Sequence, residues 1–112
     1  MTDDPMRAAE RALDDADETV RRLHAACCEP GRSPAMEALA ADLVLARERL
    51  HSVAVDAGTA DDLISGLEEA GARVGHLQVG CCAPGRLPLY ARLLEDLTKV
   101  QLNVNRHLGR SH

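Results

Sequence analysis

The chain has no phenylalanine and no tryptophan, and Tyr90 is its one tyrosine. Platforms on which bases, sugars or cofactor rings could stack are therefore almost absent. No apolar run approaches the roughly 20 residues that cross a bilayer, so no membrane partner is expected. A basic excess is missing too: 13 Lys and Arg stand against 18 Asp and Glu, for a net charge of −5. Phosphate backbones call for the opposite balance, which argues against nucleic acid. The start, Met1-Thr2-Asp3-Asp4-Pro5, lacks the charged-then-apolar order of a secretory signal. A cytoplasmic location with reduced thiols is the expectation. The familiar catalytic signatures are also missing. There is no glycine-rich phosphate loop, no Ser/His/Asp arrangement and no Cys-x-x-Cys, so the chain reads as a non-enzyme.

What the chain does have is one phrase written twice. Cys27-Cys28-Glu29-Pro30-Gly31-Arg32-Ser33-Pro34 returns as Cys81-Cys82-Ala83-Pro84-Gly85-Arg86-Leu87-Pro88, 54 residues later, and the two copies hold all 4 cysteines. Alanine, leucine, arginine and the two acids dominate the rest, a helix-forming composition. Four segments carry the 3-4 apolar spacing of a helical seam. They are Leu13, Ala16, Val20, Leu23, Cys27; Met36, Leu39, Leu43, Ala46, Leu50, Val53; Leu63, Leu67, Ala70, Val74, Leu77, Cys81; and Tyr90, Leu93, Leu97, Val100, Val104, His107. The offset of 54 maps the third onto the first and the fourth onto the second, apart from the Leu63/Ala9 and His107/Val53 exchanges.

Short connections between helices of this length imply antiparallel neighbours. The expected fold is all-α: an up-down-up-down four-helix bundle built from a duplicated helical hairpin. It forms one domain over 1–112, with repeat 1 at about 5–56 and repeat 2 at about 59–110. Local signals mark the boundaries. Asp4 caps helix 1, with Pro5 at the first helical position. Pro30 ends that helix near Cys28, and Pro30-Gly31 suits a type II turn. Ser33 caps helix 2. Asp56-Ala57-Gly58 closes it, and Thr59 to Asp62 opens helix 3. Leu87 replaces the serine cap in the second copy, and the tail from Gly109 is expected to fray.

In this architecture helices 1 and 3 run the same way, and both Cys-Cys-x-Pro-Gly-Arg phrases lie at one end of the bundle. Three readings of the cysteines stay open. Cys27 and Cys81 continue the core seam and suit buried packing, with Cys28 and Cys82 one step round the helix. Inward-facing Cα atoms of diagonal helices stand roughly 7–9 Å apart, wide for a disulfide, which wants less than about 7 Å. Thiolates bridged by a metal fit that gap better, with Zn(II) or Cu(I) as the consistent ions. Against a metal, adjacent cysteines point about 100° apart, and helix C-termini raise thiol pKa values.

The candidate metal site is thus Cys27, Cys28, Cys81 and Cys82, supported by the charges of Arg32 and Arg86. His24 stands one turn before Cys28, but its counterpart is Gln78, so it reads as a boundary residue. Asp42 and Asp96 match across the copies and are expected to pair with an arginine on a neighbouring helix. His107 is expected to be half-buried on the seam.

Function follows from the cysteine end: a small non-enzymatic binding or regulatory protein whose thiol cluster binds metal or responds to oxidant. The alternative is a structural or protein-interaction module, possibly a homodimer, with a protein partner of unknown identity. Its cysteines would then be packing residues or disulfides.

Overall fold

Asp4 opens the first helix as a side-chain cap. Its carboxylate accepts the amide of Met6 at 3.0 Å, and its own carbonyl accepts the amide of Ala8 at 3.0 Å. Pro5 fills the first helical position, where a missing N–H costs nothing. The computed structural model describes residues 4–26, 34–53, 57–77 and 83–109, with side chains described throughout except at 26, 35, 57 and 83–86. These stretches form α1 (Pro5–Ala26), α2 (Pro34–Val53), a 3-10 turn at Ala57–Thr59, α3 (Ala60–Leu77) and α4 (Ala83–His107). Among the described residues there is no strand. The protein is an all-α four-helix bundle, about 42 × 26 × 21 Å.

The apolar seams bury as their spacing demands. Leu13, Ala16, Val20 and Leu23 of α1, all six seam residues of α2, Leu63 to Val74 of α3 and Tyr90 to Val104 of α4 join one core. Leu77 packs against its edge. A fully buried leucine contributes about 1.5–3 kcal/mol, and seven leucines here are almost wholly enclosed. His107 does not follow the seam: it is exposed. It lies in the last turn of α4, where an imidazole gains more from water and the helix dipole than from burial.

The helices meet unequally. α1 packs chiefly on α4 and α2 chiefly on α3, while the α1–α2 and α3–α4 contacts are lighter. The offset of 54 exchanges the two large interfaces with each other, and the two small ones likewise. Among the described residues, α1 and α3 nowhere approach within 8 Å between Cα atoms, nor do α2 and α4. These are the two diagonals. Polar contacts give one relative direction outright. Asp42 of α2 meets Arg73 of α3, while Arg49, farther along α2, donates to the carbonyl of Asp62, earlier in α3. The two helices therefore run in opposite directions.

The start of α4 departs from expectation. The phrase Pro84-Gly85-Arg86 forms no turn before a helix beginning at Pro88; it is the first turn of α4 itself. Pro84 is tolerated there because the leading amides of a helix have no intrahelical acceptor. Leu87 offers no cap at the point where Ser33 stands in the first copy, so nothing in the side chains starts the helix at that position. Pro88 is consequently inside α4. It has no N–H to give the carbonyl of Pro84, one ladder bond fewer. At the other end of α4 the described residues stop at Gly109, and the rest of the tail, 110–112, lies outside them. Gly109 takes φ +73°, and its amide donates to the Arg106 carbonyl at 3.1 Å. That is a left-handed cap of the kind glycine permits.

Candidate functional site

The cysteine end is only partly within the described residues. Cys27, Cys28, Arg32, Cys81 and Cys82 lie outside them, as does the side chain of Arg86, whose backbone stands in the first turn of α4. His24, in the last turn of α1, is half-buried, as a boundary residue should be. Among the described residues no group of three or more His, Cys, Asp or Glu side chains is placed to hold a metal ion. In the sequence, Cys27 directly follows Ala26, the last residue of α1, and Cys81 comes four positions after Leu77, the last residue of α3.

The repeat-related carboxylates have unlike fates. Asp42 is paired as expected. The Arg73 Nε donates to its Oδ2 at 2.7 Å, across the α2–α3 interface. Arg47 of α2 ties α1 in the same manner, reaching Asp14 at 2.7 Å and Asp17 at 3.1 Å. Its hydrogen bond to Asp14, with smaller help from Asp17, raises the guanidinium pKa against the opposing effect of burial.

Among the described residues, Asp96 has no arginine partner. It is 3% exposed and, with Thr19, one of two buried polar residues among the described ones. Its Oδ1 stands 4.0 Å from the Lys99 ammonium, which is 62% exposed. Its Oδ2 is buried and has no hydrogen-bond partner among the described residues. Burial, first, and the Asp15 charge, second, raise its pKa; Lys99 and Arg92 oppose the rise, and Glu95 adds to it. Beside Asp96 runs a cleft of about 420 Å³ between Asp15 of α1 and Pro88, Ala91, Arg92, Glu95 and Lys99 of α4.

The expected arginine partner is present for Asp42 and not, among the described residues, for Asp96, which is enclosed about 20 Å along α4 from Ala83. A signal was available in the repeat. The offset of 54 that pairs Asp42 with Asp96 also pairs Arg73 with Thr19. The arginine that neutralises the first carboxylate thus corresponds to a threonine in the other copy, whose hydroxyl is spent on the carbonyl of Asp15 at 3.0 Å.

Comparison with protein-family models, with curated proteins and with solved structures finds no match to this chain in any of the three.

Proposed function

We propose that the protein is a small non-enzymatic binding or regulatory bundle whose thiols, gathered at one end, take up a soft or borderline metal ion or respond to oxidant. One observation carries the reading: the contacts of Arg47 with Asp14 and Asp17. Were α1 and α2 parallel, those contacts would set Ala26 and Pro34 about 35 Å apart along the bundle. The eight steps joining them span at most about 29 Å. An antiparallel α1–α2 pair meets both limits. With α2 opposed to α3, it directs the C-terminal ends of α1 and α3 the same way. This supports an up-down-up-down course, with the two cysteine phrases as neighbours. The matching seams of the two halves support duplication.

Two thiol pairs at one end provide up to four sulfur donors, and a thiolate site favours Zn(II) or Cu(I) over harder cations. Arg32 and Arg86, one in each phrase, supply positive charge that offsets the negative excess of such a site. Protein purified anaerobically should carry metal, or should show thiols that react in pairs rather than singly. Metal removal by a chelator should then lower the melting temperature, because a bound ion stabilises only the folded state. Four equally reactive thiols, no metal and unchanged stability after alkylation would remove the reading.

The interaction module is the second reading, favoured by one observation. Val44 and Leu45 are 57% and 44% exposed side by side on α2. A dimer closing over them should become monomeric with Val44→Asp and Leu45→Asp, as read by sedimentation. A mass already that of the monomer in the unsubstituted chain removes this form of the alternative.

A further inference from the structure

We infer that the cleft between α1 and α4 is a binding site for a small guanidinium ligand, with Asp96 as its anchor. The inference concerns the middle of the bundle and is independent of the thiol reading.

The first support is the carboxylate itself. Asp96 is 3% exposed and is one of the residues lining the cleft; its Oδ2, itself enclosed, has no hydrogen-bond partner among the described residues, and a turn of the carboxylate about its last side-chain bond would bring it to the cleft. A buried polar atom left unpaired is costly and calls for an explanation. The nearby cations do not supply one. Lys99 is mostly in water and lies at the limit of ion-pair distance from the other oxygen, Oδ1. Arg92 is exposed. Thr19 has a single hydroxyl proton, already given to the Asp15 carbonyl. Counting Asp15, Glu95 and Asp96 against Arg92 and Lys99, the cleft carries a net negative charge that one added cation would balance.

The second support identifies the cation. The α2–α3 interface, which the offset of 54 maps onto α1–α4, already contains the paired form of this site. There Asp42, the counterpart of Asp96, holds the guanidinium of Arg73 at 2.7 Å. Arg73 corresponds to Thr19, so the α1–α4 interface has the carboxylate of Asp96 but a threonine where the α2–α3 interface has its arginine. A planar guanidinium donates in a fork that fits a carboxylate better than an ammonium does. Pro88 and Ala91 give the cleft an apolar wall against which a short alkyl tail can lie. A cleft of about 420 Å³ is at the small end of the range for organic ligands.

The test is a titration of the full chain with methylguanidinium chloride, followed by amide NMR shifts, with tetramethylammonium chloride at matched ionic strength as the comparison. Saturable shifts are expected at Asp15 and along 91–99 with methylguanidinium and not with tetramethylammonium. A ligand this small binds in the millimolar range. Asp96→Asn, which removes the charge at almost constant size, should weaken binding at least about tenfold. Thr19→Arg should install the internal partner, raise the melting temperature and weaken ligand binding to the same degree. Should that variant fail to fold, Asp96→Asn decides alone. No saturable binding, equal binding of tetramethylammonium, or undiminished affinity in either folded variant overturns the proposal.

Discussion

At the scale of single residues, the core is ordinary and its polar members are not. Asp96 and Thr19 are buried among leucines and valines, and only one of the two has its hydrogen-bonding capacity met within the described residues. The titration of Asp96 has a definite sign. Its carboxyl is raised in the folded protein by burial above all, while in the unfolded chain it titrates near the usual value of about 3.9. Below that value both states are protonated and no penalty arises. As pH climbs through the raised folded value, the folded state must ionise a shielded group, and its stability falls. Asp96→Asn is therefore expected to stabilise the protein by about 1–2 kcal/mol at neutral pH. The gain should shrink as pH falls and vanish below about pH 4. Chemical denaturation of both proteins at several pH values measures it, and a constant difference would show that Asp96 is not the titrating group. Asp42 should behave otherwise. Arg73→Ala is expected to cost no more than about 1 kcal/mol, because Arg73 is 42% exposed and such pairs are screened.

At the scale of helices, the apolar spacing carried most of the information. Every described seam residue of α1 and α2 is buried where the 3-4 pattern puts it, and Asp4 caps α1 by the bond that its position implies. The start of α4 was not legible in the same way. Read locally, Pro-Gly-Arg suits a turn in both copies, yet in the second it is helical because Leu87 offers no cap and Pro84 falls where an amide is not needed. Asp96 escaped for a related reason. Spacing tells which face a residue occupies, but whether a partner stands opposite depends on a residue three helices away in sequence. Proline substitutions test the helix boundary. Pro34 is the first residue of α2 and Pro88 lies inside α4. Pro34→Ala should be nearly neutral, whereas Pro88→Ala should stabilise by up to about 3 kcal/mol. Equal effects in thermal melts would return the start of α4 to Pro88. Within α3, a Cβ at Gly71 would meet only the Leu94 side chain, at 3.8 Å, an ordinary contact. Gly71→Ala should add about 0.8–1.0 kcal/mol. A loss instead would mean that α3 and α4 are packed too closely there to admit a methyl group.

At the scale of the whole molecule, the two extensive interfaces join each helix to a helix of the other half: α1 to α4 and α2 to α3. Each hairpin alone has its lighter interface, so the halves depend on one another to bury their seams. Under the proposed duplication, equivalent positions of the two halves would occupy equivalent places, the two cysteine phrases among them. The most direct measurement of that arrangement is intramolecular cross-linking with a short bifunctional thiol reagent. Trypsin would release Cys27 and Cys28 in the peptide from Leu23 to Arg32, and Cys81 and Cys82 in the peptide from Val74 to Arg86. The expected result is a covalent link between these two peptides in protein isolated as monomer. Links confined to each peptide, or between peptides only in covalent dimers, would place the thiol pairs apart and contradict a shared site.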